Sequence, residues 1–279
     1  MEHDHIPPSE EDQFIAHVWR TYLTTGQSVK GEHQVWFAQP FLRPFFRALP
    51  SDPRCQICYI PFNGIGGFLS SRLLGVVPSP MNPHMCNLCE RFAEQYAGGV
   101  EMEVSILFAD IRGSTTLAEK MSTYEFSQLI QRFFNEATKP LYSHNALIEK
   151  FSGDGLTAFF VPAFAGPNHA QTAIEAGKAV LRALGYAHGK APWLPVGLGI
   201  HTGTAYIGSL KTTGGRTDIT ILGDAVNTTA RLCAQAQAGE ILVSGDSATA
   251  SGLPFDGHEQ RTLTLKGKEN PVDAWVIKI

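Results

Sequence analysis

Hydrophobic and polar positions change their pattern near residue 100. After it, apolar runs alternate with helical periodicities; before it no period is sustained, and Pro, Phe, His and Cys are frequent. Val104 to Ala109 is a compact apolar run ending at Asp110, the pattern of a buried strand. Thr123 reads as an N-cap, and Phe126, Leu129, Ile130, Phe133 and Phe134 recur at helical spacing toward Thr138-Lys139-Pro140. Ala146 to Phe151 and Leu156 to Val161 are short apolar segments joined by Ser152-Gly153-Asp154-Gly155, the composition of a hairpin turn. A second helix is predicted from about Asn168 to Tyr186, with Ile174, Gly177, Val180, Leu181 and Leu184 on one face. Val196 to His201 supplies the next strand.

The order strand, helix, strand, strand, helix, strand is that of a ferredoxin-like βαββαβ core, so the expected fold class is α+β. Further elements follow: strands near Ala205 and over Asp218 to Leu222, a helix from about Ala225 to Gln237, and closing strands near Ile241 and after Thr262. Ahead of the core, helices are predicted from about Glu10 to Leu23 and from about Cys89 to Tyr96, with Ala97-Gly98-Gly99 as the junction. The expected division is an N-terminal helical segment (1–50), a small cysteine-rich module with a linker helix (51–99) and a main domain (100–279).

Composition narrows the partners. The 279 residues are 43% apolar, enough for an ordinary core, and a net charge of −4 gives no bulk attraction to nucleic acid. Nucleic acid is therefore not an expected partner. No run of about 18 apolar residues occurs, and Met1 to Asp12 is polar and acidic, so the expectation is no membrane span, no export signal and a cytoplasmic protein. In that compartment paired thiols hold metals more readily than they form disulfides. Cys55/Cys58 and Cys86/Cys89 are two Cys-x-x-Cys knuckles that suit a zinc ion, the first choice, or an iron–sulfur cluster. His84 precedes the second knuckle and is expected to be an exposed loop histidine, with replacement of one cysteine ligand as the alternative. The loop between the knuckles, with Gly64, Gly66 and Gly67, is expected to fold by itself, and the module to serve as a staple or as a redox or zinc sensor.

Three clusters carry candidate chemistry. In Phe108-Ala109-Asp110-Ile111-Arg112-Gly113-Ser114-Thr115 a carboxylate at a strand end precedes small and hydroxyl residues, a turn that can offer Gly113, Ser114 and Thr115 to phosphates while Asp110 takes a hard cation. Asp154, at the hairpin tip, is a second carboxylate, and two carboxylates can bind two divalent ions. Asn227 and Arg231 are four apart on one helix face, an amide and a fixed cation together. No Gly-x-x-x-x-Gly-Lys-Ser/Thr run is present, which excludes a P-loop.

Asp110, Asp154 and the Asn227/Arg231 pair, in this order and spacing, resemble the class III adenylate and guanylate cyclases over about residues 102–279. The resemblance makes 100–279 a catalytic domain that forms cyclic nucleotide in a homodimer with shared sites. It implies that Asp110 and Asp154, helped by the Ile111 carbonyl, hold two Mg2+ or Mn2+ ions, and that Asn227 and Arg231 reach over from the partner. By the same resemblance Asn227 orients the ribose, Arg231 stabilises charge on the α-phosphate, and Lys266 binds the triphosphate. Lys150 matches the family's base donor, and Thr220 stands where many members carry an Asp acceptor. A Lys/Thr pair fits adenine, which needs one donor and one acceptor, so ATP is the expected substrate. That pair is similar to the subgroup whose members are often stimulated by bicarbonate. The competing expectations are a guanylate cyclase, a cyclase-like nucleotide-binding regulator, and a zinc-finger nucleic-acid binder.

Overall fold

The structure is a computed structural model that describes residues 9–27, 29, 45–46, 48–49, 53–80, 84–186, 192–211, 217–265, 268 and 270–279. It divides into two compact units, Glu103–Ala205 with Leu222–Ile279, and Met1–Met102 with Tyr206–Ile221.

The larger unit is built on a mixed sheet. Its strands are β1 (Gly98–Ile111), β2 (Leu147–Ser152), β3 (Gly155–Phe160), β4 (Val196–Lys211), β6 (Glu240–Ser244), β7 (Glu259–Leu263) and β8 (Val272–Lys278), in the order β2-β3-β1-β4-β6-β8-β7. β1 and β4 continue into the smaller unit, where β5 (Thr217–Leu222) pairs with β4. β3 pairs antiparallel with both β1 and β2, while β4 and β6 run parallel. The expected βαββαβ order is present, with two short additions, α4 (Ser114–Lys120) and α6 (Pro162–Ala165), and the segments read as strands near Val196 and Ala205 are one continuous β4.

One face of this sheet carries α5 (Thr123–Ser143) and α7 (His169–Ala183). The N-cap of α5 is Ser122 rather than Thr123, because Ser122 and Glu125 form a reciprocal capping box. Phe133 and Leu141 of α5, Ile174 and Leu181 of α7, and Leu107, Phe160, Leu198 and Ile200 of the sheet are fully buried in one core. The other face receives α8 (Asp224–Gln235) through a smaller core of Leu232, Ala236, Leu242 and Val276. Glycine alternation in β4 lets α8 come close: a Cβ on Gly199 would lie 2.3 Å from the Cys233 nitrogen, and one on Gly197 2.9 Å from the Ala236 oxygen. Thus Leu198 and Ile200 fill the first core while the glycines between them seat a helix on the opposite face. α9 (Gly245–Ser251) follows β6 and packs beside α7.

The smaller unit contains α1 (Glu10–Thr25), α2 (Gly64–Leu74) and α3 (Asn87–Gln95). α1 starts with a Ser9/Asp12 capping box, ends at Gly26 with φ 73°, and buries Val18, Trp19, Tyr22 and Leu23. Trp19 donates its indole N–H to the Tyr96 carbonyl at 2.8 Å and meets Phe92 edge-on. The glycine-rich interval between the knuckles is not a self-contained loop but the helix α2, because Gly67 lets the Phe62 backbone approach to where a Cβ would be 2.3 Å away. Gly98 and Gly99 likewise belong to β1 rather than to a linker. A Cβ on Gly208 of β4 would lie 2.1 Å from the Gly98 oxygen, so the strands meet here only because side chains are missing.

Candidate active site

Strand pairing brings the two carboxylates together. Asp110 is opposite Gly155 in the β1/β3 register, and the Ile111 N–H donates to the Asp154 carbonyl at 3.2 Å. A side chain at 155 would crowd the Asp110 carboxylate, since a Cβ there would be 3.2 Å from its Oδ2. β1 then turns through Gly113, at φ 68°, into Ser114 and Thr115 at the start of α4. Burial raises the Asp110 carboxyl above its ordinary value, the Arg112 guanidinium opposes this, and the Asp154 charge adds to it.

Arg112 is the residue sequence reasoning passed over. Its guanidinium contacts the Asp110 carboxylate and donates to the carbonyls of Cys233 and Ala234, at 3.3 and 3.4 Å, in the last turn of α8. A cation at a helix C-terminus is favoured by the helix dipole, so Arg112 ties α8 to the Asp110 end of β1. Its signal in the sequence was a charge two residues after a strand-end carboxylate. The Cys233 thiol is pushed up to about 12 by burial and donates to the Gly197 carbonyl at 3.4 Å, which makes it a packing residue.

These groups front a cleft of about 420 Å3 whose walls include Asp110, Arg112, Lys150, Ser152 and Thr157. Lys150 is exposed on β2, with its ammonium 3.8 Å from Glu149. From α8 the cleft takes Ala230, Cys233 and Ala234, but neither Asn227, which is exposed, nor Arg231, which is half-buried. Thr220 lies half-buried on β5 in the smaller unit. Lys266 falls outside the described residues. Lys268 pairs with Asp224 at the first turn of α8, a contact the sequence did not suggest.

Two carboxylates and a backbone carbonyl suit a hard divalent cation, and Asp110 already meets one cation, the Arg112 guanidinium. The donor set therefore fits the Mg2+ or Mn2+ ions that the sequence implied.

The four cysteines form a different centre. Cys55, Cys58, Cys86 and Cys89 are all buried, with their sulfurs within 4.8 Å of one another. Burial would raise the Cys55 thiol, but hydrogen bonds with Cys58, Cys86 and Cys89 outweigh it and hold the group well below its ordinary value. Burial first, and then the bonds with Cys55 and Cys86, push the Cys58 thiol up, while the bonds with Cys55, Cys58 and Cys86, and then burial, push up that of Cys89. Four buried sulfurs this close together are a donor set suited to a soft or borderline cation.

Residues 99–278, well over half of the chain, match the family described as Adenylate and Guanylate cyclase catalytic domain. The chain belongs to that family. It contains a class III nucleotide cyclase domain, a mixed α+β fold of a group that binds nucleotide, uses divalent metals and works as dimers. The uncharacterized protein Rv1319c of Mycobacterium tuberculosis is 30% identical over 179 residues, 62% of this chain and 32% of its own length. Mb1354c of Mycobacterium bovis, also uncharacterized, is 29% identical over 180 residues, 63% of this chain and 31% of that protein. This chain thus spans about a third of the length of the curated relatives it matches. Among solved structures, the guanylyl cyclase Cya2 is 28% identical with a TM-score of 0.59, covering 64% of this chain and 93% of that one. The adenylyl cyclase CyaB from P. aeruginosa is 29% identical with a TM-score of 0.56, covering 65% and 96%. Among the described residues no helix is long and apolar enough to cross a membrane.

Proposed function

We propose that this protein is an adenylate cyclase that converts ATP to 3′,5′-cyclic AMP and diphosphate at sites shared between two copies of the chain in the cytoplasm, with residues 100–279 as the catalytic domain. The observation that carries the reading is the meeting of Asp110 and Asp154 at the β1/β3 end, in the mouth of a cleft that Asn227 and Arg231 of the same chain do not line. An incomplete site of this kind is completed by a second copy.

Asp110, Asp154 and the Ile111 carbonyl hold two Mg2+ or Mn2+ ions, which when bound supply Lewis acidity toward the attacking hydroxyl and the leaving diphosphate. The chain's own residues do the rest. Gly113, Ser114 and Thr115 present the turn to the phosphates, and Lys266 takes the far end of the triphosphate. Asn227 fixes the ribose so that its 3′-oxygen faces the α-phosphorus. The 3′-oxygen forms its bond to phosphorus, the bond to the bridging oxygen breaks, the hydroxyl proton passes to water, and Arg231 stabilises the charge on the α-phosphate. Lys150 donates to the adenine N1 and Thr220 accepts from its amino group. The cysteines hold a second kind of metal centre, zinc by preference over an iron–sulfur cluster.

The Arg112 guanidinium on Asp110 favours one second reading, a nucleotide-binding regulator with weak turnover, because it competes with a metal ion for the Asp110 carboxylate. Mixing Asp110→Ala with Arg231→Ala protein tests the shared site. Each variant alone is expected to be inactive, and the mixture to regain ATP cyclisation through its mixed dimers. A mixture that exchanges subunits yet stays inactive contradicts the shared site.

A further inference from the structure

The spacing of the cysteine sulfurs says how many metal atoms they can surround. The Cys58 and Cys86 sulfurs are 3.8 Å apart, and all four lie within 4.8 Å of one another. Four thiolates around one zinc ion, at about 2.3 Å each, form a tetrahedron with edges of about 3.8 Å. In a cluster of several irons the thiolates ligate different metal atoms on the outside of the cluster, which spreads the sulfurs further apart.

The backbone supports the compact arrangement. The Cys86 N–H donates to the Cys55 sulfur at 3.3 Å and the Cys89 N–H to the Cys86 sulfur at 3.4 Å. Tyr59 adopts φ 64° to close the first knuckle, and its N–H donates to the Cys55 carbonyl at 3.0 Å. A left-handed tyrosine is strained, so this turn is held by its surroundings.

Both knuckles pack toward strand β5. Ile57 between the first pair and Cys89 of the second line, together with Trp19, Tyr22, Phe92 and Ile219, a void of about 10 Å3. That is at the limit for a single water molecule, so these side chains pack closely. Ile219 immediately precedes Thr220. The neighbouring strand is tied to the same helix, since Ser209 of β4 donates to the Ala93 carbonyl of α3 at 2.6 Å. We infer that Cys55, Cys58, Cys86 and Cys89 bind one zinc ion, and that this ion, by locking the two knuckles together, holds strand β5 and with it Thr220 in place. The consequence for base selection rests on the adenylate cyclase reading; the ion and the clamp do not.

The test uses the full chain, produced in medium containing both zinc and iron. Metal analysis is expected to give one zinc per chain and no visible absorption band. Iron with acid-labile sulfide, or folded protein without metal, overturns the assignment. Zinc is then removed with a mercurial and EDTA, the mercurial is displaced by a small thiol, and zinc is added back. Amide exchange in β5 is expected to quicken on the order of tenfold or more without zinc and to recover with it, while β6 stays unchanged. Unchanged exchange in β5 overturns the clamp. Ile57→Ala leaves every thiol in place, so it is expected to keep its zinc and still quicken exchange in β5; full protection there also overturns the clamp. Quickened exchange with an unmoved ratio of ATP to GTP turnover leaves the clamp standing and removes Thr220 from base selection.

Discussion

Asp110 leaves 38% of its side chain exposed beside a cleft of about 420 Å3, whereas Cys55, Cys58, Cys86 and Cys89 are between 0 and 3% exposed. The first group offers hard oxygens open to a cleft; the second offers soft sulfurs that close on themselves. A closed tetrahedral site has no position left for substrate, and an open one cannot staple a fold. On the reading proposed above, the contrast separates a site for chemistry from a site for architecture, and it sets how each should respond to damage.

The largest expected effect falls on the open site. Asp110→Ala should lower turnover on the order of a thousandfold or more in a steady-state assay, with the circular dichroism spectrum unchanged. The same variant should keep the metal on its cysteines, and its loss would erase the distinction between the sites. EDTA alone should stop turnover on mixing, Mn2+ should restore it, and metal analysis should find the cysteine centre intact throughout.

A smaller effect concerns a charge that is structural in the larger unit. Glu240 accepts two bonds from Arg261 at 2.8 Å each, and these hold its carboxyl down from 4.5 to about 2. A carboxyl depressed in the folded state contributes stability that is complete above about pH 4.5 and is lost as pH falls through about 2. Glu240→Gln should cost about 3 kcal/mol in urea melts at neutral pH and should flatten the loss of stability across that acid window. The smallest effect is on selectivity. Thr220→Ala should change the ratio of ATP to GTP turnover by roughly tenfold, because one hydrogen bond to the base is removed.

The sequence showed the larger unit well because its elements announce themselves locally. Phe126 to Phe134 carries a helical period, Val104 to Ala109 is a continuous apolar run, and Asp154-Gly155 has turn composition, so the hairpin that brings Asp154 to Asp110 was readable. Features that depend on contact between distant segments were not. Gly98 looked like a linker and is a strand residue pressed against Gly208, and the α2 glycines looked like a loop and seat a helix on Phe62. Ser122 displaced Thr123 as a cap because Glu125 completes its capping box. Arg112 stood in the open within the motif, but its role appears only when the end of α8 is placed above it.

The most direct test of the account is product formation by the purified protein with Mn2+ and either ATP or GTP, with cyclic AMP and cyclic GMP resolved by chromatography. Cyclic AMP from ATP, with little product from GTP, is the predicted result. Cyclic GMP as the main product, or no cyclic nucleotide from folded, metal-loaded dimer, would contradict it.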